Sequence, residues 1–584
     1  MSTRLRTAVL AVVVVASTAP VLSGSHAPTA RATDTVGPAG CQPSRPAVAH
    51  HADVVVLSPQ PTNGPVPCGV YTGFAGSEGK VEVTTTGALM FVPAGTPTDP
   101  TTLGAVCRDT QPQLQPRPPV SPPQAFCDPG PQSMVSDGGV AVSRDDGGHW
   151  DFVMPMGMTW LNDDNDAWVD PVTGRFFASY ITADPPGQTP TDQGKPVPTA
   201  APATASTFAL AQLVTSGDDG RTWQYGQACC EITDEGGFTA GPVPPGDTKA
   251  SDQLTSAYPH VSYYCWRASQ DVPPQPPSEF CSKSLDGGSS WAPVGFAGRG
   301  VLPVHTDVCA TPGSLPPSTA FSGGTQPADE ATGMPAAAPD GTLYMVLACA
   351  PDRSSPVRYY LTRSTDEAAT WPVVARIPHP GELRVDRAGN LYLMRSPDDA
   401  ATKVCAQAGT SACSHTLLLS TSTDGGRTWS AEHNVVAPGV AWFEKEDSAL
   451  YGGTDGNGGW SCCVNWFYDV REPGHVAVAY TAHTGDLVPD GPEDGYVTET
   501  RDALDADPVF WSAFVNDPAR PLKSGLGFPP SAGGQQTNSL GLNIGPDGSP
   551  WGAFAEDCAP SPNAPECGGR HDRLVGLAGR LAWP

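Results

Sequence analysis

Ser422-Thr423-Asp424-Gly425-Gly426-Arg427-Thr428-Trp429 is an octet whose frame recurs along the chain. Each further copy keeps a Ser, an Asp two residues later and a closing Trp: Ser143 to Trp150, Ser216 to Trp223, Ser284 to Trp291 and Ser364 to Trp371. Successive Asp residues are separated by 73, 68, 80 and 58 residues. A weaker sixth copy runs from Thr500 to Trp511. Repetition at this spacing indicates one structural unit used several times.

The residue types within the octet predict a hairpin turn. An Asp carboxylate accepts backbone N–H groups of its own turn, and Gly adopts the positive φ that a tight corner needs. The closing Trp is a large apolar group that requires a packed site. We therefore expect structural roles for Asp145, Asp218, Asp286, Asp366 and Asp424, and for Trp150, Trp223, Trp291, Trp371 and Trp429.

A second repeated signal precedes the octets: a short strand, a turn ending in Gly and an apolar strand. One copy runs from Val385 through Gly389 to Tyr392, and another from Ala338 through Gly341 to Tyr344. Together the two signals define a unit of strand A, Gly turn, strand B, loop, strand C, octet and strand D. With 64 Gly and 65 Pro in 584 residues and no long helical period, the chain is predicted to be all-β.

The repeats predict a β-propeller of about seven four-stranded blades with six as the alternative, since seven Gly turns and six octet-like turns can be recognised. We expect the last blade to close by pairing a strand near Arg573 to Leu581 with an N-terminal strand near Asp53 to Leu57. Antiparallel connectivity then puts the Gly turns and octets at one end of the propeller. The B-to-C and D-to-A loops lie at the other end, including the Pro-rich runs 111–130, 184–203 and 271–278. Function concentrates in long, individual loops of this kind.

The octets resemble the Asp box, or bacterial neuraminidase repeat, of sialidases and related β-propellers. The resemblance implies exo-α-sialidase-type hydrolysis: three Arg bind the substrate carboxylate, an Asp acts as acid and base, and a Tyr activated by a Glu attacks the sugar. Arg376-Ile377-Pro378 precedes a predicted A strand and Arg395 follows the next B strand, as the resemblance requires. The family's Arg-Ile-Pro motif, however, opens the propeller, whereas this copy follows the fourth octet.

Two of the predicted D-to-A loops carry carboxylates beside aromatic residues. They run from Met156 to Trp168 and from Ala441 to Trp466. Carboxylates hydrogen-bond sugar hydroxyls and aromatic rings stack on sugar C–H faces, although solvated acidic loops over packed Trp residues explain the same composition. The candidate catalytic residues are Arg376, Arg395, Glu444, Tyr451 and Asp166. The candidate Ca²⁺ ligands are Asp163, Asp164, Asp166 and Asp170, because oxygen donors suit a hard cation. We expect no required cofactor.

The N-terminus predicts export. Arg4 and Arg6 precede an apolar run, and Ala30-Arg31-Ala32 fits a cleavage site, so residues 1–32 are expected to be a signal peptide and 33–584 a single propeller domain. Sixteen Cys in an exported chain predict disulfides. The pairs easiest to close are Cys107–Cys127, Cys265–Cys281, Cys405–Cys413 and Cys558–Cys567, whereas the partners of Cys229, Cys230, Cys462 and Cys463 are open.

The mature chain is strongly acidic, with 29 Lys and Arg against 60 Asp and Glu, a net charge of −31. Such a surface repels nucleic acid and anionic lipid, so neither is an expected partner. We expect an extracellular monomer that meets carbohydrate or glycoprotein. Two functions fit: a sialidase-type glycoside hydrolase, and a non-catalytic propeller that binds glycan or protein through its long-loop face.

Overall fold

The computed structural model describes the following parts of the chain: residues 41, 44–51, 54–55, 64–76, 79–93, 139–153, 163–183, 191–192, 195–196, 209–227, 233–244, 254, 258–268, 279–294, 296–297, 300–301, 330–331, 334–349, 358–397, 413–444, 466–484, 492–522, 541–558, 564–567 and 574–584. These residues form strands and turns and contain no helix. The all-β prediction is therefore confirmed.

The first strands supply edges to blades that lie late in the chain: β1 (Val48–His51), β2 (Val54–Val55) and β3 (Val66–Ala75). Blade 1 contains β4 (Lys80–Val83), β5 (Leu89–Val92), β6 (Val140–Ser143) and β7 (Asp151–Val153). Blade 2 contains β8 (Asp163–Val169), β9 (Phe176–Ala183), β12 (Ala209–Ser216) and β13 (Gln224–Gln227), with a separate pair, β10 (Thr191–Asp192) and β11 (Lys195–Pro196), in its B-to-C loop.

Blade 3 contains β14 (Thr233–Gly241), β15 (Val261–Ala268), β16 (Glu279–Ser284) and β17 (Ala292–Pro293), and is followed by the pair β18 (Phe296–Ala297) and β19 (Gly300–Val301). Blade 4 contains β20 (Glu330–Ala331), β21 (Ala336–Ala337), β22 (Leu343–Cys349), β23 (Arg358–Ser364) and β24 (Val373–Ile377). Blade 5 contains β25 (Glu382–Val385), β26 (Leu391–Arg395), β28 (Leu418–Ser422) and β29 (His433–Asn434).

Two strands from loops extend blade 6 at its long-loop end: β27 (Cys413–Ser414) pairs with β30 (Val440–Glu444), which pairs with β32. The blade itself contains β31 (Trp466–Val470), β32 (Val476–Thr484), β33 (Asp494–Thr500) and β34 (Phe510–Phe514). Blade 7 contains β35 (Leu542–Ile544), β36 (Pro550–Asp557) and β37 (Leu574–Ala582), with β3 as its fourth strand.

Seven antiparallel blades confirm the sequence prediction and exclude the six-blade alternative. Blades 1 to 6 follow the predicted order of strand A, turn, strand B, loop, strand C, turn and strand D. Six octet-like turns suffice for seven blades because the C-to-D connection of blade 7 does not exist: its C strand is the chain's last strand and its D strand is β3.

The predicted closure of the last blade is correct for the final strand of the chain and wrong for the N-terminal strand with which it pairs. β37 pairs with Val66–Ala75, and not with a strand near Asp53 to Leu57. That earlier segment instead extends blade 6, where β1 pairs with the outer strand β34 and β2 pairs with β1. The N-terminal region therefore ties the last two blades together. The Cys41–Cys68 disulfide links its two parts.

The octets form the predicted self-bonded turns. In each of the five, the Ser hydroxyl donates to the Asp Oδ1 at 2.8 to 3.0 Å, and the backbone N–H four residues beyond the Asp donates to the same oxygen. The residue four beyond the Ser has positive φ in every copy, and in the fourth this is Ala368 at 65°. These bonds stabilise the carboxylate: Thr428 and Ser422 hold the pKa of Asp424 at about 2, with burial opposing.

Each octet packs against the preceding blade. An added Cβ at Gly147 would lie 2.4 Å from Val70 of blade 7, and one at Gly426 would lie 2.0 Å from Leu361 of blade 4. The Trp side chains enter the same interfaces: Trp223 joins the apolar cluster of Met90, Val142 and Phe176 between blades 1 and 2. Among the described residues, one such cluster fills each of the seven interfaces between blades.

Two of the four predicted disulfides are present. Cys265–Cys281 joins cross-strand neighbours of β15 and β16, and Cys558–Cys567 closes a loop of blade 7. Cys107, Cys127 and Cys405 lie outside the described residues, as do the vicinal pairs and most of the three Pro-rich runs. In the part of the chain that the structure describes, no helix is long and apolar enough to cross a membrane.

We predict that Trp371→Ala costs more stability than Trp429→Ala. Trp371 is 2% exposed and its indole N–H donates to the carbonyl of Ala368, whereas Trp429 is only partly buried. Loss of a fully buried Trp costs about 3–5 kcal/mol in free energy of unfolding, and we expect a smaller loss at position 429. Denaturant unfolding of both variants measures the difference, and equal losses would contradict this difference in packing.

Candidate functional site

The A strands line the centre of the propeller, since each is the innermost strand of its blade. Each A strand runs from a D-to-A loop at the long-loop end to a turn at the octet end. Alternate residues of one strand face opposite neighbours. In blade 1, Val81 and Val83 pack toward blade 7, whereas Glu82 bonds to blade 2. Polar side chains therefore collect on one side of several innermost strands.

Several of these side chains bond to the backbone of the next blade. Glu82 accepts from the N–H of Val169 at 2.9 Å, and Asp469 accepts from Ile544 at 2.9 Å. The same pattern joins Asp166 to Phe238, Thr239 to Ala337 and Asn543 to Val83, at 3.1 to 3.3 Å. Between blades 5 and 6 the Tyr468 hydroxyl donates to the carbonyl of Glu382 at 2.7 Å. We call these contacts the axial bonds.

Six charged or titratable side chains and one aromatic ring lie at the same place. We call this group the axial cluster: Lys80, Glu82, Asp166, Glu382, Arg384, Phe467 and Asp469. Arg384 Nη2 lies 3.3 Å from Glu382 Oε2 and its guanidinium is 5.1 Å from the centre of the Phe467 ring. The Lys80 ammonium is 5.5 Å from the same ring. These contacts bring blades 1, 5 and 6 together at the axis.

Burial raises the pKa of every carboxyl group in the axial cluster. The pKa of Asp166 rises to about 6, with Lys80 and its backbone hydrogen bonds opposing the effect of burial. For Glu82, burial and the charge of Asp469 raise the pKa well above its usual range. Burial likewise raises the pKa of Glu382, against the nearby Arg384, and the pKa of Asp469. These groups therefore hold protons at a pH where exposed carboxyl groups have lost them.

The octet end of the axis is crossed by an arginine. Arg387, in the A-to-B turn of blade 5, donates to the carbonyl of Pro171 in the corresponding turn of blade 2, at 3.1 Å. The same guanidinium pairs with Glu472 of blade 6 at 2.5 Å. Turns from blades 2, 5 and 6 therefore meet at the octet end of the axis.

The two arginines suggested by the resemblance lie apart from the axial cluster. Arg376 is exposed on β24, the outermost strand of blade 4. Arg395 ends the B strand of blade 5 and binds Glu432 through two bonds of 2.6 and 2.8 Å. Although burial opposes it, this contact keeps the pKa of Glu432 below its usual value. The structure therefore does not bring Arg376 and Arg395 together.

Of the other predicted site residues, Asp166 belongs to the axial cluster. Asp170 lies at the octet end, where Tyr258 and His260 both bond its carboxylate at 2.8 Å. The backbones of Asp163, Asp164 and Glu444 lie in strands β8 and β30, but their side chains are outside the described part, as is all of Tyr451. Among the described side chains, no three His, Cys, Asp or Glu are grouped to hold a metal ion.

A Tyr and Glu pair occurs elsewhere on the long-loop half of the propeller. The Tyr71 hydroxyl on β3 donates to Glu556 on β36, and Arg520 bonds both Glu556 and Glu566. Burial and the charge of Glu556 raise the pKa of Tyr71. The pair joins the middle and outer strands of blade 7, so it reinforces the closure of the propeller and is separate from the innermost strands.

Sequence reasoning missed Lys80, Glu82, Glu382, Arg384 and Asp469. A usable signal was present, because Lys80-Val-Glu-Val83 and Glu382-Leu-Arg-Val385 place a charge at every second position of an apolar strand. Both segments also precede a Gly turn, which marks them as A strands. Charges on an innermost strand have no route to bulk solvent except along the axis, so this alternation points to the centre of the propeller.

No protein-family model matches the chain, and no curated protein matches it. Among solved structures, it is similar to an ulvan lyase of polysaccharide lyase family PL25 (11% identity, 72% of this chain and 86% of that chain, TM-score 0.35). It is also similar to the α-L-arabinofuranosidase Arb93A from Fusarium graminearum, with 10% identity over 80% of this chain and 97% of that chain and a TM-score of 0.33. A third similar structure is a NanB sialidase variant from Streptococcus pneumoniae, with 10% identity over 72% of this chain and 68% of that chain and a TM-score of 0.33. Likenesses this distant assign no function to the chain.

We predict that Asp166→Asn removes part of the pH dependence of stability. The folded state holds the Asp166 proton with a pKa of about 6, against about 3.9 when unfolded. Ionisation therefore destabilises the fold, and stability is lost as the pH rises from about 4 through about 6, by on the order of 3 kcal/mol for this group. Asn keeps an acceptor for Phe238 and does not titrate.

Denaturant unfolding between pH 4 and pH 7 measures this difference. The wild type should lose more stability over the range than Asp166→Asn does. Parallel curves for the two proteins would show that Asp166 ionises normally in the folded state.

Proposed function

We propose that this chain is an exported protein that engages extracellular glycans at the axial cluster, with exo-α-sialidase-type glycoside hydrolysis as its chemistry. One observation carries the proposal: Asp166, a carboxyl group with a pKa of about 6, faces Lys80 and Arg384 at the centre of the propeller. A general acid is most effective when its pKa lies near the working pH. The three disulfides of the described residues fit an oxidising compartment.

In the proposed reaction, Asp166 donates its proton to the glycosidic oxygen as the bond from that oxygen to the anomeric carbon breaks. The Tyr451 oxygen attacks the anomeric carbon, and Glu444 takes the tyrosine proton. Asp166 then removes a proton from water, whose oxygen displaces Tyr451, and Glu444 returns the proton to the tyrosine. The roles of Tyr451 and Glu444 come from the resemblance, and both belong to the segment Ala441 to Trp466 that the sequence predicts to be a D-to-A loop.

The alternative proposal is a non-catalytic propeller that binds glycan or protein on the same face. The placement of the arginines favours it, since Arg376 is exposed on an outer strand and Arg395 is paired with Glu432. Among the described residues, Arg384 is the one arginine of the axial cluster, whereas the sialidase mechanism uses three. In this case Asp166 contributes hydrogen bonds and no proton transfer.

Hydrolysis of a fluorogenic α-sialoside by the purified mature chain distinguishes the two proposals. If the chain is a hydrolase, Asp166→Asn should lower kcat by about 10² or more. Asp505→Asn is the matched control, because Asp505 is an exposed carboxylate on the octet turn of blade 6. An Arg376→Ala variant in the same assay tests the sequence-based anchor directly.

Absence of turnover together with retention on a sialylated glycoprotein column would favour the non-catalytic proposal. Absence of both would reject glycan engagement. Equal turnover by the wild type and by Asp166→Asn would show that the chain is a hydrolase whose active site is not the axial cluster.

A further inference from the structure

One arginine joins blades that are not neighbours in the ring. Arg387 belongs to the A-to-B turn of blade 5, and its Nη2 donates to the carbonyl of Pro171 in the A-to-B turn of blade 2 at 3.1 Å. Blades 3 and 4 lie between these two blades on one side, and blades 6, 7 and 1 lie between them on the other. A bond between blades so far apart in a closed ring has to cross its centre. The Arg387 side chain therefore spans the axis.

The same residue is also held by blade 6. Arg387 Nη1 pairs with Glu472 at 2.5 Å, and the backbone N–H of Arg387 donates to the carbonyl of Arg471 at 3.0 Å. A guanidinium is planar and presents its donors in a fixed fork, so it can hold two partners in a set geometry. Arg387 thus fixes the turn of blade 2 relative to the turns of blades 5 and 6.

These contacts close a circuit of hydrogen bonds through five blades. Blade 6 is bonded to blade 7, blade 7 to blade 1 and blade 1 to blade 2, in each case through an innermost strand or the turn that follows it. The bonds join Arg471 to Ile544, Ile544 to Asp469, Val83 to Asn543 and Val169 to Glu82. Arg387 links blade 2 back to blades 5 and 6, so each of these strands is restrained from two sides.

The crossing lies on the strands that carry three members of the axial cluster. Each member precedes a residue of the crossing on its own strand: Asp166 is five residues before Pro171, Arg384 is three before Arg387, and Asp469 is three before Glu472. At roughly 3.3 Å per residue, the cluster members lie about 10–16 Å from the crossing. The spacing of the turns at the crossing is therefore passed along three strands to the cluster.

We propose that Arg387 is a positioning residue that ties the octet ends of β8, β25 and β31 together across the axis and so sets the spacing of Asp166, Arg384 and Asp469. The inference rests on the proposed function, because it takes Asp166 as the proton donor of the reaction. Arg387 acts through the strands and does not touch the ligand. An error of about 1 Å in the placement of a reacting group can lower a rate by about 10².

The crossing is a weak source of stability. The side chains of Arg387 and Glu472 are 41% and 52% exposed. Exposed ion pairs contribute little to the free energy of unfolding, because water screens them and both side chains lose conformational freedom. Loss of Arg387 should therefore leave the protein folded, while the three strands become free to move relative to one another.

Hydrogen exchange measured by mass spectrometry on the mature chain tests the crossing. In Arg387→Ala we expect exchange in residues 163–175 of blade 2 to become about threefold faster or more. The strands β15 of blade 3 and β22 of blade 4 lie between blades 2 and 5 along the ring. They should keep their wild-type rates, because the crossing does not run through them.

Two further variants separate the crossing from charge and from exposure. Arg427→Ala is the matched control, since Arg427 is exposed at the same end of blade 5 and donates to the carbonyl of Asp424 in its own turn. It should leave exchange in blade 2 unchanged. Arg387→Lys keeps the charge without the fork, so it should resemble Arg387→Ala more closely than the wild type. If Arg387→Ala does not fold, Arg387→Lys is used for both measurements.

Turnover of a fluorogenic α-sialoside measures the effect on the reaction. We expect Arg387→Ala to lower kcat by about tenfold or more. KM should change by about twofold or less, because a misplaced acid weakens the transition state and leaves substrate binding largely as it was. Arg427→Ala should match the wild type in both constants.

Unchanged exchange in blade 2 of Arg387→Ala would overturn the inference, and equal acceleration in blades 2, 3 and 4 would do the same, because it marks general loosening. Wild-type behaviour of Arg387→Lys would show that charge alone is needed, which also contradicts a two-armed crossing. Faster exchange in blade 2 with unchanged kcat would overturn the positioning role. Absence of turnover by the wild type would reject the proposed chemistry, and the exchange rates would still decide whether Arg387 holds blade 2.

Discussion

The structure depends on satisfying the inner edge of seven sheets. The innermost strand of a blade has a neighbour on one side only, so its other edge presents backbone groups at the centre of the molecule. An unpaired buried backbone group costs free energy comparable to a lost hydrogen bond. Five of the six axial bonds meet this requirement by supplying a side-chain acceptor from the preceding blade, as Glu82 does for Val169 and Asn543 does for Val83. Among the described residues, five blades thereby help to complete the next one.

This solution has an electrostatic consequence. Asn543 and Thr239 accept without carrying charge, whereas Glu82, Asp166 and Asp469 place carboxyl groups in a poorly solvated region. Burial then raises their pKa values, and the opposing cations Lys80 and Arg384 limit the rise for Asp166. Asn or Thr at every blade would close the edges at lower electrostatic cost. The use of acids at three of these positions is thus more than closure requires, and groups with perturbed pKa values tend to cluster at functional sites.

The repeated octets made the fold predictable from the sequence, whereas the irregular segments around them could not be placed in the same way. Each octet bonds mainly to itself, as Asp424 does to Ser422 and Thr428, so its turn is encoded locally. The closing strand was misplaced because Asp53 to Leu57 and Val66 to Ala75 are both apolar, and register in the sheet depends on contacts with β34 and β37. The axial cluster combines residues up to 389 positions apart, from Lys80 to Asp469, so no local motif contains it.

The acidity of the chain does not prevent an anion from binding at the axis. Charges on the surface act through solvent and are screened over a distance of about 8 Å at physiological salt. A guanidinium in direct contact with the ligand acts within a region of lower dielectric constant, where the same charge has a larger effect. The 32 Lys and Arg of the chain are outnumbered by its 60 Asp and Glu and are too few to alter its overall field. Two of them, Lys80 and Arg384, instead lie against one aromatic ring at the axis, among carboxyl groups whose pKa values burial raises.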